Sequence, residues 1–273
     1  MGDSGAQDRD QSLALARRAL NGVQGGSRAL SFSHRVIALL AAACVSAASP
    51  AFAYRPFDST DPAVAEPGEL EIEFSPVSFR RGDSGNTWVA PQLKINYGIA
   101  RHWELVVEGQ GEHPQFEDSK SVMVDNAVFL KHVVREGTLQ QQKGPSVAIE
   151  FGALLPGLNE ESGVGAEVAG IVGSRWSWGA IYFTAAAVLN RDSRGEMFLG
   201  TIIEGPLDWA VRPVAEIVYE REFGSTEVIA ALAGVIWEAR EGLAFDLAVR
   251  QASVDGRPET EIRAGLTFAF SLL

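Results

Sequence analysis

The chain has 273 residues, a net charge of −12 and a mean hydropathy of +0.03. So acidic a balance argues against a nucleic-acid partner, which wants a basic face. The only cysteine, Cys44, falls near the N-terminus inside the leader described next, so the rest of the chain has no disulfide, cysteine-based zinc site or thiol nucleophile.

Val36 to Ala48 is a short run dominated by Ala, Val, Leu and Ile, with His34-Arg35 before it and Ala51-Phe52-Ala53 after it. A basic flank, a short apolar core and a small-x-small site predict a secretory signal peptide cleaved after Ala53. Residues 1–53 then form that leader, with a long N-terminal extension. The run is shorter than the ~18 residues of a membrane-spanning helix, and no other apolar run reaches that length. Cys44 follows three alanines rather than the Leu-led pattern of a lipoprotein site. Beyond the leader, 18 basic and 32 acidic residues remain. Residues 54–67 have three prolines and no periodicity, and read as an extended periplasmic segment too short to plug a wide barrel.

Residues 68–273 carry twelve strand candidates. The first, Glu69 to Phe79, alternates Leu70, Ile72 and Phe74 with Glu69, Glu71 and Glu73. The next four are Trp88 to Tyr97, Trp103 to Gly111, Val122 to Arg135 and Val147 to Leu155. Gly165 to Arg175, Ala180 to Asn190 and Met197 to Glu204 alternate less sharply, and Glu227 to Trp237 is apolar on both faces. Val211 to Glu220 and Leu243 to Ser253 are clear. In the last strand, Ile262, Ala264, Leu266, Phe268, Phe270 and Leu272 alternate with Arg263, Gly265, Thr267, Ala269 and Ser271. Period 2 over such lengths means strands with two unlike faces.

Connections after the even-numbered strands are short, except Glu136 to Gly144 after the fourth. Those after odd-numbered strands are polar, such as Arg80 to Asn86 and Asp255 to Glu259. Short turns on one rim and polar loops on the other match the periplasmic and extracellular ends of an outer-membrane barrel. Trp103, Trp176, Trp178, Trp209 and Trp237 all fall at short-turn ends, where an indole can straddle a membrane interface.

The face opposite the apolar residues carries eleven acids: Glu69, Glu71, Glu73, Glu104, Glu108, Asp125, Glu150, Glu167, Glu216, Glu220 and Asp246. Seven bases share it: Lys94, Lys131, Arg135, Arg175, Arg212, Arg250 and Arg263. Charge facing lipid near the midplane costs roughly 2–4 kcal/mol, so these side chains are expected to line a lumen. Glu104 and Glu108 should flank Lys131, while Arg250 and Arg263 should lie near Asp246. The fold class expected is all-β: an antiparallel up-and-down transmembrane β-barrel of about 12 strands behind a cleaved signal peptide.

Several short motifs carry a resemblance. They are Pro91-Gln92-Leu93 leading to Tyr97-Gly98-Ile99, then Trp103-Glu104-Leu105, Asp125 with Lys131, Gly234 with Trp237, Phe245-Asp246-Leu247 with Arg250, and the Phe268/Phe270 ending. In these the chain resembles the outer-membrane transporter family named after the meta-pathway of phenol degradation. The resemblance implies a single barrel in the outer membrane of a Gram-negative cell and a transport role. The chain ends Leu272-Leu273, where such barrels end in an aromatic, so Phe268 and Phe270 are expected to serve as the signal to the barrel-assembly machinery.

Catalytic patterns are weak. His132 falls on the lipid face with no Ser/Asn constellation at lipase-like spacing. Glu108, Glu112 and His113 could be metal ligands, and Glu160-Glu161 a calcium loop, but solvated acids explain both. Gly163-Val164-Gly165 leads to no helix, so it is no phosphate loop. No enzyme activity, cofactor or metal is expected. The partners expected are outer-membrane lipid and a small-molecule solute, and the role is porin-like or transporter-like passage through a channel. A closed structural or adhesion-type barrel and a soluble periplasmic binding barrel are the alternatives.

Overall fold

The computed structural model describes residues 55–272 except 84, 117, 118, 160 and 161; the expected leader and its cleavage site lie outside these residues. Thirteen strands follow one another: β1 Glu69–Ser75, β2 Ser78–Gly82, β3 Gly85–Ala100, β4 Trp103–Pro114, β5 Val122–Arg135, β6 Ser146–Leu154, β7 Gly165–Trp176, β8 Gly179–Leu189, β9 Gly195–Glu204, β10 Val211–Glu222, β11 Glu227–Arg240, β12 Leu243–Val254 and β13 Arg257–Ser271. Each neighbouring pair is antiparallel and consecutive in sequence, from β3 to β13. Both β1 and β2 pair with β13 on one side and β3 on the other. They are halves of one stave interrupted at Pro76-Val77, where proline has no N–H to give a ladder. The sheet is therefore a closed barrel of twelve staves.

The strands run further than the sequence pattern suggested. Arg80 to Asn86 shrinks to the connection between Gly82 and Gly85, and Asp255 to Glu259 to the two-residue turn Asp255-Gly256, with φ of 50° and 80°. Positive φ at both positions gives a tight hairpin whose twist matches the strands it joins. The contrast in loop length between the rims is correspondingly smaller than expected. The exceptional loop 136–145 contains a 3₁₀ turn, Thr138–Gln140, whose Leu139 is buried.

Alternation puts opposite chemistry on the two faces. Ile217, Leu247, Val168 and Ile229 are each more than half exposed on the outside. Glu104, Lys131, Glu216 and Arg212 are buried on the inside. Leu247→Arg and Ile217→Arg are expected to abolish heat-resistant assembly in detergent or liposomes, by the lipid-face cost of roughly 2–4 kcal/mol each. Glu167→Arg, on the half-buried inner face, should assemble. Thr267→Arg, although it points inward, should fail as well, because Thr267 is only 1% exposed and an arginine has no room there. Gel mobility before and after boiling reports each outcome.

Candidate functional site: a lumen threaded by the N-terminal segment

The barrel interior is occupied by the chain itself. Residues 55–66, read from the sequence as an extended periplasmic segment, run along the inside of the wall. Twelve extended residues span up to ~40 Å, enough to trace the inside of the wall. Ala65 donates its amide to Glu104 of β4 at 2.6 Å. Gln140 of the 136–145 loop donates to the Pro62 carbonyl at 3.4 Å. Lys131 of β5 donates to Thr60 Oγ1 at 2.9 Å, and Thr184 of β8 to the Thr60 carbonyl at 3.1 Å. The Asp58 and Ser59 amides donate to the two carboxylate oxygens of Glu216 on β10, at 2.8 and 2.7 Å. Arg55 returns to the start of the circuit, pairing with Asp246 of β12 at 3.4 Å and donating to Gln92 of β3 at 2.7 Å.

The strongest hold is ionic. Asp58 accepts from Arg263 at 2.7 Å and from Arg250 at 2.8 Å, with both guanidinium side chains about nine-tenths buried. Hydrogen bonds between ionised partners are about twice as strong as neutral ones. Arg263 also donates to the Pro56 carbonyl at 2.8 Å. The wall is shaped for the segment. A Cβ at Gly98 would collide with the Glu66 carbonyl oxygen, and one at Gly200 with the Ser59 hydroxyl.

Several residues expected in the lumen meet there with altered partners. Glu104 and Lys131 face each other across β4 and β5, but Glu108 pairs with Lys94 at 2.8 Å. Asp246 pairs with Arg55, while Arg250 and Arg263 take Asp58 and, further off, Glu259 and Glu261. Arg212 is buried beside Glu238 at 3.5 Å. Glu150 and Glu167 are half-buried on the inner face of β6 and β7. Asp125 sits exposed in a bulge with φ of 56° and accepts from Gln110 at 2.8 Å. Arg135 is not in the lumen. A register shift after Val133 pairs it with outward Val147, which moves it to the outer face at the rim.

Other charged or polar residues join the lumen beyond those eighteen: Arg80 paired with Glu112, Glu204 accepting from Tyr182 at 3.1 Å, Glu259, and Glu261 and Asn96, which share the parity of the inner face on their strands. Asn96 donates to Glu73 at 2.8 Å. The inner face is not polar throughout. Val218, Val228, Ala230 and Ala252 form an apolar patch on β10 to β12, which explains why Glu227 to Trp237 looked apolar on both sides.

The candidate metal group of Glu108, Glu112 and His113 does not converge, and Glu160-Glu161 lie outside the described residues. Glu112 is taken by Arg80, and His113 contacts Ser121 Oγ and the Ala90 carbonyl, both at 2.7 Å. Among the described residues no group of three histidines or acids is placed to hold a metal ion. His132 stacks on Trp103 with ring centroids 4.1 Å apart on the outer face. Trp176 and Trp178 stack at 5.4 Å, and Trp237 on Phe245 at 5.5 Å, all at the short-turn rim with Trp209.

An apolar exterior around a buried, charged interior is the reverse of a soluble protein, and a closed sheet leaves no strand edge for hydrocarbon to strand. The chain is an outer-membrane β-barrel. A soluble binding barrel is excluded by the same inversion. No protein-family model matches the chain, and no curated protein does. Among solved structures, an outer-membrane channel from Pseudomonas putida F1 superposes with a TM-score of 0.55 at 10% identity, over 78% of this chain and all of that one. The KdgM porin does so with a TM-score of 0.50 at 11% identity, over 73% of this barrel's chain and 99% of its own. At these identities the likeness is one of fold.

Asp58→Ala removes the shared partner of Arg250 and Arg263 and should loosen the segment. Amide exchange at Asp58 and Ser59 is expected to rise at least tenfold, the rate equivalent of losing about 1.5 kcal/mol, the low end for one bond to a charged group. Unchanged exchange would mean that Glu216 alone holds the segment.

Proposed function

We propose that the barrel mediates passive or facilitated passage of small molecules across the outer membrane, through a lumen narrowed by its own N-terminal segment. The observation that carries this reading is a charged inner wall traversed by one strip of chain rather than filled by interlocking side chains. About eight strands leave an interior just filled by side chains; twelve leave space. The fold shared with a porin and an outer-membrane channel supports the reading. The resemblance to the transporter family of the meta-pathway of phenol degradation supports a transport role. We also propose that Phe268 and Phe270, outward on β13 opposite Ile72 and Leu70, present the chain to the barrel-assembly machinery.

Acids outnumber bases along the wall. With Arg135 outside and Glu204, Glu259 and Glu261 inside, the excess grows beyond that of the eighteen residues expected there. A single sign of charge along a low-dielectric wall concentrates counter-ions. A small, weakly cation-selective conductance is therefore expected in planar bilayers. Lys131→Ala and Arg250→Ala should each raise it, since both side chains hold the segment, and removal of residues 55–66 should raise it most. A sealed structural barrel is the second reading, favoured by the number of wall contacts that the segment makes. Reversal potentials under a salt gradient separate the two. Anion preference would refute the charge argument, and silence in wild type and every variant would favour the sealed barrel.

A further inference from the structure

Charge at the short-turn rim is spread unevenly around the barrel. Arg101, Arg135 and Lys143 are exposed in the sector from the end of β3 to the start of β6, and the turns of that sector contain one acid, Glu136. Around the rest of the rim the exposed charges among the described residues are Glu66, Asp208, Glu241 and Arg240. A chain of net charge −12 thus gathers cations on one side of this rim and acids on the other.

The basic side is turned toward lipid. The bulge after Val133 sets Arg135 beside Val147 on the outer face. Its guanidinium lies against the loop at Gly144, where a Cβ would come within 2.8 Å of Nη2. Gly144, at φ of 82°, directly follows Lys143. Further into the bilayer, His132 stacks on Trp103, and its Nδ1 meets the His102 carbonyl at 3.1 Å. That contact fastens the turn between β3 and β4 to the outside of β5. Arg101 in this turn donates to Glu136 at 2.9 Å, yet its side chain stays 77% exposed. Glu136 is shared with His102 at 2.7 Å, and Arg135 and Lys143 have no acidic partner among the described residues. Toward the bilayer centre the same face continues in Leu105, Leu130, Ile149 and Phe151.

Cations above an indole and an apolar strip suit a lipid with a net negative headgroup. Guanidinium and ammonium groups meet the phosphate, the indole sits at the interface, and the acyl chains lie on the strip. A free anion would gain nothing from that strip. We propose that the rim between β3 and β6 is a docking surface for an anionic phospholipid of the periplasmic leaflet, with Arg135 as the main phosphate ligand and Arg101 and Lys143 beside it. The acids around the rest of the rim repel the same headgroup, so the lipid is held on one side.

The test uses the full barrel purified in detergent and read by native mass spectrometry. Phosphatidylglycerol and phosphatidylethanolamine with the same acyl chains are the probes. Wild type should retain phosphatidylglycerol at least about tenfold over phosphatidylethanolamine, a ratio that two cations near the headgroup suffice to give. Arg135→Ala should cut the preference to about threefold or less, Arg135→Lys should keep most of it, and Arg101→Ala with Lys143→Ala and Arg135→Ala should abolish it. Arg194→Ala, at the opposite rim beside Asp192 and Glu222, should leave it unchanged. Heat-dependent gel mobility checks that each barrel folds. If Arg135→Ala does not fold, Arg101→Ala with Lys143→Ala, both in turns, carries the comparison and should still lower the preference. Equal retention of the two lipids by wild type overturns the proposal, and so does a preference that survives in a folded barrel lacking these cations. Displacement of phosphatidylglycerol by equimolar inorganic phosphate would show a site for the free anion and overturn the lipid assignment. None of these readouts depends on whether the lumen conducts.

Discussion

Hydrocarbon cannot satisfy an unpaired strand edge, and this barrel's closure rests on one broken stave. β1 and β2 each bond to β13 and β3, so the ladder of the last strand finds its partner in two short pieces. Once the ring is closed, alternation leaves each strand residue either facing lipid or facing inward. The lipid side tolerates no charge near the midplane. Charged residues near the middle of a spanning strand are thus driven inward, into a space too wide for opposing walls to neutralise each other everywhere.

The N-terminal segment supplies what the wall lacks. Glu104 and Glu216 accept from its backbone amides, Asp246 from its arginine, and Arg250 with Arg263 bind its aspartate. A buried charge stripped of its partner is costly, typically by ~3–5 kcal/mol. The segment has no regular secondary structure of its own; its path is dictated by the groups it satisfies. In the other direction, glycines at wall positions make room for its backbone. The 136–145 loop, an outlier in length at its rim, folds inward so that Leu139 joins the cluster around Ala63 and Gln140 reaches Pro62.

Strand order and facing were legible because period-2 alternation is a local signal that lipid on one side enforces strictly. The last strand shows it best, with Ile262 exposed and Glu261 and Thr267 buried as the alternation requires. What failed did so where a signal stops being local. Arg135 has the right parity for the lumen, but a bulge invisible in its sequence turns it out. Glu216 faces inward as expected, yet its partners are backbone amides some 157 residues away, which no side-chain pattern announces. Residues 55–66 carry no periodicity because they pair with no strand. Their functional content lay in isolated charges, Arg55, Asp58 and Asp61, that looked like ordinary linker polarity. Glu227 to Trp237 looked apolar on both faces, and its inner Ile236 is covered by Phe57, which comes from that same unpatterned stretch.

The segment's contacts also impose a chronology. Arg55 meets a partner 191 residues later, Asp58 one 192 residues later, and Pro56 one 207 residues later. The first residues of the described chain thus bind strands that emerge almost last, and contacts so distant along the chain are slow to form. Until β12 and β13 arrive, Asp58 has neither arginine and Arg55 has no Asp246. The segment can be drawn into place only as the ring shuts, so its capture marks the end of assembly rather than the beginning.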